Sequence, residues 1–403
     1  MNIPKLRFKD NNGNDYPQWN YSSFYNTFNF LSTNNYSRND MNSINGNIRN
    51  IHYGDILTKF NYIINTEKDI LPYLNDNIII KNLPNYIIQS GDIVIADTAE
   101  DYTTGKTCEI INSNNQLVVA GLHTMLCRPK QNIFALGFLG YFMNSNIYHN
   151  QLLPLITGIK VYSIIKKEII KTKISIPFIE EQKKIAKFLS TVDKKIENLE
   201  NTITSLENQK KGLLQQIFSQ KLRFKDKNGN NYPNWEKKKI GLICSISTGK
   251  SNTQDKIDNG KYPFYVRSAT IERSSKYLYD EEAILTVGDG VGTGKVFHYV
   301  NGKYDLHQRC YRMFNFKNTH AKYFYYFFSS HFYNRVKRMS AKNSVDSVRM
   351  NMISDMIIDL PCLEEQTKIA DFLSAFDRKL DNQKAQLEHW QQIKKGLLQQ
   401  MFV

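Results

Sequence analysis

The constraint that dominates this sequence is that it is written twice, at two different spacings. Lys5-Leu6-Arg7-Phe8-Lys9-Asp10 returns as Lys221-Leu222-Arg223-Phe224-Lys225-Asp226. Each copy continues through Asn-Gly-Asn to Tyr16-Pro17 and Trp19, or to Tyr232-Pro233 and Trp235, at an offset of 216 residues. A second block, Pro177 with Glu180-Glu181-Gln182, Ile185-Ala186 and Phe188-Leu189-Ser190, returns as Pro361 with Glu364-Glu365-Gln366, Ile369-Ala370 and Phe372-Leu373-Ser374, at an offset of 184. Both copies run on to Lys-Lys-Gly-Leu-Leu-Gln-Gln, at residues 210–216 and 394–400. The shorter offset already holds at Leu122-His123 with Arg128 and at Leu306-His307 with Arg312. The 32-residue excess of the first copy therefore lies between Trp19 and about Gly121. A chain duplicated in this way reads as two related units whose framing segments are kept and whose interiors have diverged.

The framing segments read as helices. From Ile185 the apolar positions are Ile185, Phe188, Val192, Ile196, Leu199, Ile203, Leu206, Leu213 and Ile217, at steps of about three and four, with Lys, Glu, Asn and Gln between them. The second copy gives Ile369, Phe372, Phe376, Leu380, Leu387, Trp390, Leu397 and Met401. Pro177 and Pro361 stand just before the helices, where a missing N–H costs nothing, and the Glu-Glu pairs favour the positive helix end. Each helix is about 40 residues and hence roughly 60 Å long. An amphipathic helix of that length cannot bury its stripe alone, and a matching stripe lies in the same chain. The expectation is an α+β fold with two mixed α/β modules, joined by two long helices paired as an antiparallel coiled coil about an internal pseudo-two-fold. The corresponding domains are 1–175, 176–218, 219–359 and 360–403.

Inside the modules, residues 86–96 and 282–287 resemble strands, with Gly91-Asp92 and Tyr279-Asp280 as preceding turns. Aromatic runs at 134–143 and 323–328 read as one buried helix per module, packed as core and not as stacking platforms.

Composition narrows the function. Lys and Arg number 53 against 38 Asp and Glu, a net charge of +15, with 41% hydrophobic and 12% aromatic residues. Such a chain builds cores, and its charge favours an anionic partner. The surplus is +4 through Gln220 and +11 afterwards. No stretch approaches the ~20 apolar residues of a membrane span, and the start, Met1-Asn2-Ile3-Pro4-Lys5, lacks a secretory signal. Five scattered cysteines, odd in number and without a CxxC pair, argue against a disulfide framework or zinc site. A cytoplasmic location with no membrane partner and no metal follows as the expectation.

The runs nearest to catalytic motifs fail at named positions. The run from Gly288 to Lys295 carries Asp289 where a P-loop needs its first glycine, and Val296 follows the lysine. The run from Ser247 to Ser251 has Cys244 at the glycine position. The first run reads instead as a tight strand connection that places a lysine near an anionic partner. There is no Asn/Asp-Pro-Pro-aromatic run and no glycine-rich turn for S-adenosylmethionine. Asp193 to Lys195 and Asp377 to Lys379 form Asp-x-Lys elements, read as solvated helix face. His123 and His307, in a strand-like Leu-His-x-x-x-x-Arg context, read as structural hydrogen-bonding histidines.

Two basic heads on a pseudo-two-fold suit duplex DNA, whose grooves recur about every helical turn, and heads of different sequence suit two different half-sites. The doubled Pro-x-x-Glu-Glu-Gln-x-x-Ile-Ala-x-Phe-Leu opening, the Lys-Lys-Gly-Leu-Leu-Gln-Gln-x-Phe closing and the Leu-Arg-Phe…Tyr-Pro-x-Trp leader together resemble the specificity subunit of type I restriction-modification systems, over essentially the whole chain. That resemblance implies a non-catalytic subunit whose modules are target recognition domains, each reading half of a split double-stranded DNA sequence. It also implies helices that space them and dock two modification (methyltransferase) subunits, with restriction subunits joining to cleave. S-adenosylmethionine, ATP and magnesium are then bound by those partners, with no cofactor in this chain. The family's DNA contacts lie in divergent loops, so candidates come from polar and basic residues in turn-rich stretches: Tyr36, Ser37, Arg38, Thr104 and Lys106 in the first module, and Lys250, Ser251, Arg267, Arg273 and Lys295 in the second. Two other readings stay open at this point, an autonomous methyltransferase or nuclease with an unrecognised site and a coiled-coil adaptor that binds protein.

Overall fold

A computed structural model describes residues 3–113, 116–290, 292–339 and 347–403; Met1, Asn2 and Val291 of the segments discussed above lie outside them. Contacts divide the chain into two units, Met1–Glu200 with Gln386–Val403, and Asn201–Ala385. The boundary falls inside each long helix, so each unit owns part of both.

The sequence repeat becomes a repeat of wiring. In the first unit strand Asn20–Ser23 pairs antiparallel with Lys173–Ile176, Asn20 opposite Ile176; in the second, Glu236–Lys239 pairs with Ile357–Leu360, Glu236 opposite Leu360. These two pairings carry the two offsets, one on each strand. Below them, Glu181 on the first long helix is buried and accepts from Arg7 Nε (2.9 Å), Arg7 Nη2 (2.7 Å) and Trp19 Nε1 (3.2 Å). Glu365 repeats this with Arg223 Nε (2.7 Å), Arg223 Nη2 (2.8 Å) and Trp235 Nε1 (2.9 Å). A buried carboxylate is tolerable only when paired and fully hydrogen-bonded. The Leu-Arg-Phe…Trp leader is kept because it supplies that partner set. The next residue, Gln182, accepts from the Ala135 N–H and donates to the carbonyls of Ile133 and Pro177, as Gln366 does with His320, Asn318 and Pro361. Each Glu-Gln pair thus fixes a leader and a module to one helix start.

The first long helix spans Ile179–Phe218 and the second Leu363–Gln400. Within the first unit, Ile185, Ala186 and Leu189 near the start of one helix share a core with Leu398, Met401 and Phe402 at the end of the other. Within the second unit, Ile217 and Phe218 share a core with Ile369, Ala370 and Leu373. In both units the helical segments therefore run antiparallel, as the matching stripes required. Phe188 departs from the expected seam: it is half-exposed, edge-on to Phe8 at 5.7 Å, while Leu189 takes the buried place.

Asp193 and Asp377 correct the reading of a solvated face. Asp193 pairs with Lys394 (2.7 Å) and accepts from the Tyr141 hydroxyl (2.8 Å); Asp377 pairs with Lys210 and accepts from Tyr326 (2.6 Å). Each aspartate joins a module's core helix to both long helices, while the lysines of the two elements, Lys195 and Lys379, stay in solvent. Asp377→Ala is expected to cost about 1–3 kcal/mol, because Lys210 and the Tyr326 hydroxyl lose a common partner. Amide exchange should accelerate in the second unit and stay unchanged near Asp193; uniform protection in both would refute the assignment.

The first unit holds a five-stranded sheet in the order Phe28–Leu31, Thr124–Pro129, Ile93–Ala96, Thr107–Ile111, Ile63–Asn65, antiparallel except for the last pair. A four-stranded sheet, Val118–Ala120, Arg49–Ile51, Tyr73–Leu74, Met41–Asn42, adjoins it. The second unit has six strands, Ser245–Thr248, Cys310–Phe314, Tyr279–Val287, Phe297–Leu306, Tyr262–Tyr265, Ile271–Ser274, with only Tyr262–Tyr265 and Phe297–Leu306 parallel. Tyr279-Asp280 is not a turn but the start of a strand, opposite Tyr304 and Lys303. Residues 86–92 are mostly loop, and the strand begins at Ile93 after Gly91 turns at φ +94°. The core helices are Phe138–Met143, buried throughout, and Ala321–Met339, which runs well past the expected Phe328. Their aromatic rings fill cores, as expected. Among the described residues no helix is long and apolar enough to cross a membrane, and all five cysteines are free thiols, four of them buried.

Glu109 is fully buried and accepts from the Gly137 (2.7 Å) and Gly140 (2.8 Å) N–H groups at the start of the first core helix. Burial pushes its carboxyl up to about 7 despite those donors. The folded unit then holds this proton more tightly than the unfolded chain. The stability it contributes is present below about pH 4.5 and lost as pH rises through about 7. The thermal midpoint of the first unit should fall over that window, and Glu109→Gln should flatten the slope; an equal slope in the variant would overturn the assignment.

Candidate nucleic-acid interface

Each unit carries a cluster of loops at the strand ends, and the two clusters share a capping box, at Ser37–Asp40 and at Asn252–Asp255. In the first, buried Asn34 donates Nδ2 to Asn50 Oδ1 (2.9 Å) and to the Ala120 carbonyl (3.0 Å), and its Oδ1 accepts from the Tyr36 N–H (3.1 Å). The Ser37 N–H and hydroxyl both donate to Asp40 (2.8 Å each), closing a one-turn helix at Arg38–Asp40. Arg38 reaches Asp55 through two 2.8 Å bonds, which hold its guanidinium above its ordinary pKa. The Gly121 N–H donates to the Ile51 carbonyl (2.9 Å), and His123, turned to φ +54°, stands 3.6 Å from Asp97 and edge-on to Tyr53.

In the second unit the Lys250 and Ser251 N–H groups donate to the Leu306 carbonyl (3.1 Å each), and the Asn252 N–H donates to Asp255 (2.7 Å) ahead of a one-turn helix at Thr253–Asp255. The His307 N–H donates to the Tyr265 carbonyl (2.9 Å). Its Nδ1 accepts from the Arg309 N–H (3.0 Å) and its Nε2 lies 3.3 Å from Thr253 Oγ1. Burial, then Arg267, lowers the His307 pKa, in keeping with a neutral ring that accepts at Nδ1. Asp289 sits between Arg267 and Arg309, 3.4 Å from each. Gln308 bonds the Asn252 side chain and the Ser251 carbonyl. Both histidines therefore occupy turns between strands, not strands, and act as hydrogen-bonding residues.

The structure sorts the ten sequence candidates. Tyr36, Ser37 and Arg38 come together on one loop; in the second unit Lys250 and Ser251 lie on the loop bonded to the Leu306 carbonyl beside His307, and Arg267 pairs with Asp289. Three are turned inward: Thr104 is buried with its hydroxyl on the carbonyls of Asp101 (3.1 Å) and Tyr162 (3.2 Å), and buried Ser251 donates to Asp305 (2.7 Å). Lys106 caps the carbonyls of Leu57 (3.2 Å) and Phe60 (2.9 Å), and burial lowers its pKa. Lys250, Arg273 and Lys295 are exposed, Arg273 on the sheet's outer strand and Lys295 over the Tyr333 ring at 5.2 Å. Among the described residues, no ion pair engages Lys250 or Arg273. The cluster adds Asn252, Gln308 and Arg309, which are not among the ten. The signal for Asn252 was the repeated three-residue spacing of Ser37 to Asp40 and Asn252 to Asp255, a capping pattern. The glycine-rich runs serve strand contacts: a Cβ at Gly249 would lie 2.2 Å from the Leu306 carbonyl oxygen and one at Gly288 2.5 Å from that of Arg309.

Exposed guanidinium and ammonium groups with amide and hydroxyl side chains, all held on fixed loops, can bind phosphates and base edges together. Two stretches, residues 2–208 and 232–389, match the family described as type I restriction modification DNA specificity domain. The chain belongs to that family. The two matched stretches follow the internal duplication, so each copy carries a specificity domain. The type I restriction enzyme EcoDI specificity subunit of Escherichia coli is 25% identical over 165 residues, 41% of this chain and 36% of that relative. A Methanocaldococcus jannaschii protein provisionally named as the MjaX specificity subunit is 23% identical over 85% of both chains. The fold is shared with the crystal structure of the Mycoplasma genitalium S subunit, with TM-score 0.65, 14% identity and 99% of both chains covered. It is also shared with a structure concerned with assembly and conformational transition of the type I R-M system, with TM-score 0.56, 15% identity and coverage of 96% of this chain and 98% of that one. As a member of this specificity family, the chain is a specificity component of such systems and not a catalytic one.

Proposed function

We propose that each unit reads one half of a bipartite sequence in double-stranded DNA, and that the two long helices set the spacing of the halves and dock two modification subunits. The observation that carries this reading is the recurrence in both units of a capped loop, Ser37–Asp40 and Asn252–Asp255, together with a histidine turn, although the interior sequences differ. Tyr36, Ser37 and Arg38 face one half-site, and Lys250, Arg267, Arg309 and Gln308 the other; Arg273 and Lys295 hold flanking phosphates. Methyl transfer from S-adenosylmethionine and cleavage with ATP and magnesium belong to the modification and restriction subunits. The complex works in the cytoplasm, where its DNA is.

Methylome sequencing of the host tests this directly. The expected result is methylated adenine in a split motif, with exchange of residues 20–176 for those of another family member altering one half alone. An unsplit motif, or a motif indifferent to the exchange, would overturn it. Inserting one heptad into each helix should change the spacer and leave both halves unchanged.

A further inference from the structure

The first unit carries a β-hairpin that its own fold leaves bare. Thr157 and Ser163 close it with two backbone bonds (2.9 and 2.8 Å), and Tyr162–Ser163 pairs with Thr98–Ala99. The residues from Gly158 through Ile159 and Lys160 to Val161 are all exposed; Ile159 is 91% exposed and Val161 55%, with Ile165 at 57% just beyond. An isoleucine this open at a turn is a cost in water that the fold does not recover.

The hairpin is built to hold its shape. Gly158 adopts φ +133°, and a Cβ there would lie 1.9 Å from the Val161 carbonyl oxygen, so only glycine closes the turn. The base is fixed by the Ile164 N–H on the Asp97 carbonyl (2.9 Å), by Thr104 on the Tyr162 carbonyl, and by the Tyr102 ring 4.7 Å from that of Tyr162. Buried Thr104, whose hydroxyl faces inward, thus supports this element. Asp97 also accepts from the Thr98 hydroxyl (2.8 Å) and lies beside His123, which places the hairpin base against the loop cluster of the first unit. Lys160 at the tip, with Lys166 and Lys167 after it, gives the element a positive charge.

We infer that this hairpin is an apolar wedge for duplex DNA, with Ile159 entering between two base pairs in the groove and Lys160 on the adjacent phosphate. Aliphatic side chains on rigid supports are used in this way to unstack a base step and bend the duplex. The inference rests on the reading of the first unit as a DNA reader, and it adds a deformation energy to direct base contact, so that the flexibility of one step becomes part of the specificity.

The test uses the complete complex with its modification subunits and a duplex carrying the motif found by methylome sequencing, with 2-aminopurine placed at successive steps. Wild-type complex should brighten the probe at one step of the half-site read by the first unit. Ile159→Ala should abolish that signal and weaken binding about tenfold on the cognate duplex while leaving random-sequence DNA unaffected; Ile159→Leu should restore both. Ile159 is so exposed that these variants do not disturb folding. Cognate binding without a bright step, or an Ile159→Ala complex indistinguishable from wild type, overturns the wedge alone. A wild-type complex that does not bind the duplex overturns the DNA-reading assignment and the wedge with it.

Discussion

Phe402→Ala is expected to destabilise the first unit by about 3–5 kcal/mol, a fall on the order of 10 °C in its thermal midpoint. Phe402 is buried against Trp19 (6.4 Å between ring centres), Phe138 (6.0 Å) and Phe142 (6.0 Å), so truncation empties a ring cluster whose other three rings lie more than 250 residues earlier. The duplicated phenylalanine, Phe218, fills the corresponding place in the second unit against Tyr323 (5.9 Å) and Phe327 (5.3 Å). Its truncation should lower the other transition. Calorimetry on the two variants therefore gives opposite assignments of the two transitions; a Phe402→Ala protein that loses stability only in Asn201–Ala385 would contradict the placement of the second helix end. Methylation should respond in parallel, through failure of one unit before the other.

Glu181→Ala should cost about as much, roughly 3–5 kcal/mol, for a different reason. The Arg7 guanidinium is largely buried with Glu181, and removing the carboxylate leaves it without its paired counter-charge and with only the Pro17 carbonyl (2.8 Å), and takes the Glu181 acceptor from the Trp19 N–H. Desolvation already spent on the arginine is then uncompensated. Arg7→Met combined with Glu181→Gln removes both charges and keeps an acceptor for Trp19, and it should recover most of the loss. Urea unfolding of the single and double variants decides: a double variant as unstable as the two single losses added would show that the ion pair is not the cause. Glu365, Arg223 and Trp235 form the independent replicate.

What could be read from sequence was what the duplication repeats. Two matching stripes of about 40 residues in one chain leave few partners but each other, and identical leaders must do identical work, so the helices and their antiparallel pairing were legible. What the leader does was not, because Arg7 meets Glu181 across 174 residues and no local pattern encodes that meeting. Inside the modules, polarity gave residue type but not direction. Thr104 and Ser251 sit in turn-rich stretches like Ser37, yet their hydroxyls satisfy buried groups, and Lys106 spends its ammonium on a helix end. Asp193 looked like solvated helix face because its partners, Tyr141 and Lys394, come from elements that only the fold brings close. Tyr279-Asp280 has turn-like composition, but a long strand partner from Phe297 to Leu306 extends the ladder through it.

The division of the helices between units bears on how the protein is made. Asn201–Ala385 is one continuous stretch and can close its core once it has been synthesised. The first unit cannot: Leu398, Met401 and Phe402 belong to its core, so the module translated first waits, with Trp19, Phe138 and Phe142 uncovered, until those residues leave the ribosome. Translation order and completion order are reversed, and the interval between them is when the nascent chain most needs a chaperone.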